Sequence, residues 1–300
     1  MKTKKILITG LLCLGCIHFS MSQDLLDILK NEQKDSLGYL TPSFKMTRIA
    51  FGHSTEVRNK NVLEVFTSSR FWNVPTDRSQ SFFADKMSTR FALEYGISDR
   101  LTFGVGATTL DGLFDGYLKY KLLSQKKGIN PIPLNITLFQ NASYDSSSIP
   151  NPAIADDFSD RISFTSQLLI SRKISSDFSF QVSPTFVHKN LMLSEEDGAN
   201  FFAIGFGARY KLGPHLSIVS EYYTTINPVT SFDTYGPFAL GANWELGDVL
   251  LQFMLTNAIH MVEDSFITQT RNNFNFRSPN LNFGFNATYV IHFENKLKHK

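Results

Sequence analysis

The chain has 300 residues, with 29 Lys and Arg against 27 Asp and Glu, a formal net charge of +2. Hydrophobic residues make up 42%, and 28 positions are Phe, a bias that suits many strands with one greasy side. No apolar run beyond the N-terminus approaches the roughly 18 residues a spanning helix needs, so transmembrane helices are excluded.

The first 22 residues read as a signal peptide. Lys2, Lys4 and Lys5 form a basic start, Ile6 to Ile17 a short apolar core, and Ser20-Met21-Ser22 a small-residue cleavage site with Gln23 as the first mature residue. Cleavage before Cys16, as in a lipoprotein, is the weaker alternative, because Cys13 stands where a Leu is expected. Ordinary cleavage removes both Cys13 and Cys16, so no disulfide or thiol chemistry is expected. It also removes three Lys and no acid, leaving 26 basic against 27 acidic residues. No basic bias then remains to attract nucleic acid.

Residues 23–61 read as a periplasmic N-terminal segment. Gln23 to Gln33 has the pattern of a short amphipathic helix or of a tail with a helical turn. Phe44 to Phe51 alternates poorly and reads either as an extra strand or as a segment tucked into a barrel mouth. Strands are expected at 62–71, 87–95, 101–108, 114–122, 132–142, 162–173, 178–188, 201–211, 216–225, 237–246, 249–257 and 281–293. The clearest unit is Phe201 to Tyr223. Phe202, Ile204, Phe206, Ala208 and Tyr210 share one face, small or charged residues share the other, and Gly213-Pro214 turns the chain. Arms of this length, about 9–11 residues, match a tilted bilayer crossing better than the roughly 5–6 of soluble sandwiches. Leu281, Phe283, Phe285, Ala287, Tyr289, Ile291 and Phe293 form a similar outward face on the last strand. The links alternate between short ones (GISDR, ISSD, GPH, GD) and mostly longer polar ones, the asymmetry of an outer-membrane barrel with short periplasmic turns. In lipid every backbone group must be satisfied internally, so such a sheet closes on itself. The expected fold is an all-β, closed, antiparallel up-and-down transmembrane barrel over 62–293. It has about twelve strands, with ten or fourteen as alternatives, both termini in the periplasm, and a tail at 294–300.

By alternation the inward face carries Arg90, Glu94, Asp115, Lys119, Lys121, Arg209, Lys211, Glu221 and Glu245. These residues read either as a mixed-charge ring that filters solutes or as interior salt bridges that fill the barrel, and the narrow bore of a twelve-strand barrel favours the second. No catalytic residues, metal site or cofactor are indicated. No two His are spaced as a ligand pair, and no HExxH, GxSxG or GxxxxGK[ST] occurs. His53 reads as a packing or hydrogen-bonding residue ahead of the first strand. His188 near Ser194 is the one arrangement resembling a lipid hydrolase, a weak one, so an enzyme is not expected. Asn272, Asn273, Phe274, Asn275 and Phe276 read as part of a long polar loop over the barrel mouth, with carbohydrate binding as the alternative.

The stretches FKMTRIAFGHSTE, YGISDRLTFGVG, DGYLKYKLLSQ, SFITQT and FGFNATYVIHF resemble a family of uncharacterised outer-membrane β-barrel proteins of Gram-negative bacteria, defined as a domain of unknown function. The resemblance spans about Phe44 to Phe293 and implies an outer-membrane barrel, with no activity attached. The expected partners are outer-membrane lipid, the barrel-assembly machinery during biogenesis, and small solutes, with no nucleic acid. Three functions compete: a narrow channel or small-solute translocator, a structural or surface-interaction barrel with a closed lumen, and, ranked last, a membrane-embedded lipid hydrolase.

Overall fold

The computed structural model describes residues 42–74, 84–128, 130–147, 157–191, 197–274 and 281–293. The signal peptide, the amphipathic stretch 23–33, Ser194, Asn275, Phe276 and the tail 294–300 lie outside the described residues.

Twelve antiparallel strands form one closed barrel. They are β1 (Val62–Trp72), β2 (Lys86–Gly96), β3 (Leu101–Thr108), β4 (Leu113–Leu123), β5 (Asn135–Asp145), β6 (Ile162–Lys173), β7 (Phe178–Lys189), β8 (Asn200–Lys211), β9 (Leu216–Thr225), β10 (Phe238–Leu246), β11 (Val249–Thr256) and β12 (Asn282–His292). Each strand pairs with its sequence neighbours, and β1 pairs with β12 from Val62↔His292 to Phe71↔Phe283, which leaves no edge. The strand pattern expected from sequence is largely realised. The exception is β5, which was placed at 132–142 and runs three residues later, because its register is set by pairing with β4 as far as Leu113↔Asp145. β1, whose two faces both read as mixed, is regular: Glu64, Phe66, Ser68 and Arg70 are buried inside, while Leu63, Val65 and Phe71 face outward.

Inner and outer faces differ as the alternation requires. Phe91, Leu93, Phe103, Leu118, Phe202, Phe206, Tyr210, Trp244 and Tyr289 project outward as exposed apolar groups, the side that lipid covers. The inner positions are Ser, Thr, Asn, Gln and charged residues with few large apolar side chains. The turns follow local chemistry. Gly247 and Asp248 join β10 to β11, and the positive φ of Gly247 (68°) supplies the left-handed residue that a two-residue hairpin requires. Pro184 of β7 lacks an N–H, and the β6–β7 ladder is interrupted opposite it, between the Gln167↔Thr185 and Ile170↔Val182 pairs. One short helix, α1 (Glu263–Gln269), lies in the β11–β12 connection. The link 125–133 belongs to a separate small unit, in which Lys126 and Ile132 exchange backbone hydrogen bonds of 3.0 and 3.1 Å.

Candidate functional site: a lumen filled from both ends

Residues 42–58, assigned by sequence to a periplasmic segment, lie inside the barrel. Nearly every residue from Ser43 to Glu56 is buried. The stretch folds back on itself as a tight hairpin. The Ser54 N–H donates to the Thr47 carbonyl (2.8 Å), the Ile49 N–H donates to the Gly52 carbonyl (2.9 Å), and Arg48 and His53 pair across the fold. Phe44 to Phe51 is therefore the tucked segment of the two alternatives, and it reaches well past the mouth.

A hairpin inside a lumen has no neighbouring strand to satisfy its outward backbone groups, so strand side chains take that role. At the tip, one oxygen of Glu221 accepts the N–H groups of Ala50, Phe51 and Gly52 at 3.0, 3.0 and 3.1 Å. Gly52 is required there, since a methyl group on it would lie 2.4 Å from both Glu221 and the Tyr223 hydroxyl. Gln252 donates to the Ile49 carbonyl (2.5 Å) and Asn286 to the Ala50 carbonyl (2.9 Å). Gln181 accepts from the Thr55 N–H (2.9 Å) and donates to the His53 carbonyl (2.8 Å). Thr137 donates to the Thr55 carbonyl (2.7 Å), and Lys119 donates to the carbonyls of Thr47 (3.1 Å) and Glu56. Four of these groups, Thr137, Gln181, Gln252 and Asn286, are uncharged inward positions that a search for charges passed over. The same alternation that located Arg90 would have located them.

The opposite end of the lumen is closed by the β11–β12 connection. Helix α1 sits against the inner wall with Glu263, Asp264, Phe266 and Ile267 buried. Its two acids lie in the first turn, where the helix dipole favours negative charge. Asn141 donates to Glu263 (3.3 Å), Ser143 donates to Asp264 (2.9 Å), and Lys189 lies 3.4 Å from Asp264. Further along this connection Phe274 packs edge-on against Phe238 (4.3 Å between centroids), and the Asn272 carbonyl accepts a hydrogen bond from Asn257 (3.0 Å).

Hairpin and helix meet in the middle. Phe51 packs on Phe266 (4.7 Å) and Tyr223 (5.9 Å) within an apolar cluster that includes Val187, Phe201 and Met254. Beside it, Arg48 lies 3.7 Å from Glu263 and 4.0 Å from Glu94, donates to the Tyr117 hydroxyl (3.3 Å) and covers the Phe66 ring (4.9 Å). His53 is fully buried between the rings of Phe139 (4.3 Å) and Tyr117 (4.7 Å), with Nε2 3.5 Å from Glu263. Burial, and then the positive charges of Arg48, Lys119 and Arg90, hold its imidazole well below the ordinary histidine range. Burial pushes the Glu263 carboxyl up to about 7, against the opposing pull of Arg48.

The nine residues expected to face the lumen divide by partner. Glu94 and Tyr117 share a 2.6 Å hydrogen bond beside Arg48; Lys119 and Glu221 bind the hairpin backbone; Lys121 pairs with Glu56 (2.9 Å). Glu245 reaches Lys45 (3.2 Å) and Arg209 (2.8 Å). Arg90 and Asp115 form a two-pronged pair with one contact at 2.7 Å. Lys211 sits half-buried at the end of β8. Apart from Lys211, these charges bind the hairpin or one another and do not line an open ring. Sequence reasoning missed Arg48, Glu56, Glu64, Arg70, Glu263 and Asp264. His188 is held between the side-chain oxygens of Asn200 (2.7 Å) and Asn190 (2.8 Å).

Among solved structures, the chain is similar in fold to the KdgM porin (9% identity, TM-score 0.47, covering 77% of this chain and 99% of that one). It is similar also to the COG4313 outer membrane channel from Pseudomonas putida F1 (13%, TM-score 0.45, 78% and 96%) and to a Pseudomonas aeruginosa FadL homologue (9%, TM-score 0.40, 86% and 96%). A comparison with curated protein sequences finds no match. Residues 44–291, from the lumen hairpin to the last strand, match one family model, and the chain belongs to that family, the membrane bound beta barrel domain (DUF5777).

Proposed function

We propose that this protein is an outer-membrane barrel kept closed at rest by its own N-terminal hairpin, and that it passes small polar solutes only when the hairpin leaves the lumen. The observation that carries the reading is the clasp of Glu221 on three consecutive backbone N–H groups of the hairpin tip. A segment that merely rested in the mouth would not need a buried carboxylate to anchor it. The wall behind the hairpin is lined with Thr137, Gln181, Gln252 and Asn286, so withdrawal would uncover a hydrophilic path. The even strand number and the short turns at one end support both termini lying in the periplasm, the side from which the hairpin enters. The reading includes no catalysis, in keeping with an imidazole at His188 whose two nitrogens are both occupied by asparagine oxygens.

The test is planar-bilayer conductance of the refolded signal-free chain beside a variant lacking residues 42–57. A silent parent and discrete steps from the variant are expected. Steady large conductance from the parent would overturn the closure. Silence from both, with the barrel folded by heat-modifiable gel mobility, would overturn the passage. The second reading, a closed barrel acting through its outer loops, would then stand, supported by the buried α1 that fills the other mouth.

A further inference from the structure

Away from the strand ends, the outward face of the barrel carries one amide and no charged side chain among the described residues. The amide is Gln140 of β5. It lies five residues from each end of its strand, at the middle of the membrane-crossing span. Beside it an apolar groove of about 590 Å³ runs across β4 to β8, lined by Leu118, Leu138, Leu168, Pro184 and Phe186 among others. We infer that this face docks a second copy of the chain, forming a dimer about a two-fold axis through Gln140. The inference concerns the lipid-facing side of the wall and does not depend on whether the hairpin leaves the lumen.

The amide is half used. Its Oε1 accepts from the Ser166 hydroxyl (2.5 Å), directly across the β5–β6 pair, and its Nε2 donates to the Asn141 carbonyl (3.2 Å). A carboxamide has two N–H donors and two acceptor lone pairs. One of each is left without a partner among the described residues. Hydrocarbon chains supply neither donors nor acceptors, so lipid fills the groove but cannot complete the amide. The same patch holds a second weak point. Pro184 has no N–H to give to β6, and the β6–β7 ladder is interrupted opposite it. The short side chains of Ser166 and Pro184 leave the hollow between Leu138 and Phe186.

The symmetry of the amide selects the occupant. A group with one free donor and one free acceptor is its own complement, because two carboxamides face to face exchange two N–H···O bonds. Two barrels inserted in the same direction are related by a two-fold only along the membrane normal, which puts each residue at the depth of its counterpart. Gln140 then meets Gln140 of the second copy at one level. The same axis sets β4 of one copy against β6 and β7 of the other, so the groove over Ser166 and Pro184 receives outward side chains of β4 such as Leu118. Apolar surface gains little by exchanging lipid for protein, so the association depends on the fit of the groove and on the amide pair. A three-fold or larger ring joins unlike surfaces and leaves each amide unmatched.

The experiment is energy transfer between donor- and acceptor-labelled signal-free chains, each tagged at Ser176→Cys in the exposed β6–β7 turn. The chains are reconstituted in vesicles of phosphatidylethanolamine and phosphatidylglycerol and followed as lipid is added. Transfer that falls along a dimer isotherm is expected. Gln140→Leu, which offers lipid an apolar side chain and should fold at least as well, should raise the dissociation constant about tenfold. Ser166→Trp, which fills the groove, should raise it by a similar factor. Ser220→Leu, on the outward face of β9, should have no effect. If Ser166→Trp fails to fold by heat-modifiable gel mobility, Gln140→Leu decides alone. A parent that is monomeric at every dilution, with lipid alone covering the groove, would overturn the dimer. So would a trimer or larger ring, or an unchanged constant in Gln140→Leu.

Discussion

At the scale of single residues, the hairpin tip depends on one carboxylate. Three N–H groups converge on Glu221, and hydrogen bonds to a charged acceptor are worth more than neutral ones. Glu221→Gln keeps the shape and removes the charge, so it should loosen the tip by about 2 kcal/mol. Read as thiol labelling of an Ala50→Cys reporter, that is at least about tenfold faster modification, and an unchanged rate would show that the clasp does not hold the hairpin. Arg48 and its neighbours add a pH dependence with opposing parts. The Glu263 carboxyl is raised from 4.5 to about 7, so its contribution to docking is full below about 4.5 and is lost as pH rises through 7. The His53 imidazole is lowered from 6.5, so its contribution is present above 6.5 and is lost as pH falls through its depressed value. Between 4.5 and 6.5 the two oppose each other. His53→Phe, which fits the aromatic slot beside Phe139 and Tyr117, should leave the Glu263 dependence alone. Labelling of Ala50→Cys in that variant, corrected by the rate of a free thiol, should then accelerate from pH 5 to pH 8, and a flat profile would contradict the assignment.

At the scale of elements, the hairpin behaves as a strand whose partners are side chains. Gln252 holds its tip, and Gln181 holds the arm at His53 and Thr55. If the hairpin docks as one body, breaking either contact exposes both ends. Gln181→Leu and Gln252→Leu each orphan buried backbone groups, and each should speed labelling of Ala50→Cys and Ser43→Cys alike, by roughly tenfold. Acceleration confined to the nearer reporter would mean that the arms release separately. The same element marks where sequence reading ends. Strands β6 to β9 were legible because one face is apolar and the other polar, and that alternation also points Arg90, Glu94, Asp115, Lys119, Arg209, Glu221 and Glu245 inward, where they are buried. The hairpin has no solvent face and hence no alternation, so FKMTRIAFGHSTE shows only its glycine turn. Its partners Gln181 and Asn286 lie 126 and 236 residues further on, beyond any local pattern. The end of β5 was hidden for a related reason: the pairing of Ser143 with Asp115 and of Asp145 with Leu113 sets it, not the composition of β5.

At the scale of the whole barrel, closure of the sheet and closure of the lumen are separate properties. Every strand has two partners without the hairpin, and the Arg90–Asp115 and Arg209–Glu245 pairs stay satisfied in its absence. A chain lacking residues 42–57 should therefore still fold, with a lowered Tm, because Glu221, Lys119 and Gln252 lose their ligands but gain lumen water. The two plugs, by contrast, stabilise each other. Arg48 of the hairpin and Glu263 of α1 face one another at 3.7 Å, and the rings of Phe51 and Phe266 pack at a tilt beside them. Removing either charge leaves the other buried with one partner fewer, whereas removing both leaves a neutral contact of similar volume. Arg48→Met and Glu263→Gln should each lower the Tm, and the double variant should lose less than the sum, with a coupling on the order of 1 kcal/mol or more. The cycle is informative at this scale because its two residues belong to plugs that enter from opposite ends. Coupling means that an event at the α1 end of the lumen reaches the hairpin through one buried pair. Strict additivity would mean that the two closures are independent, and that withdrawing the hairpin leaves the other one in place.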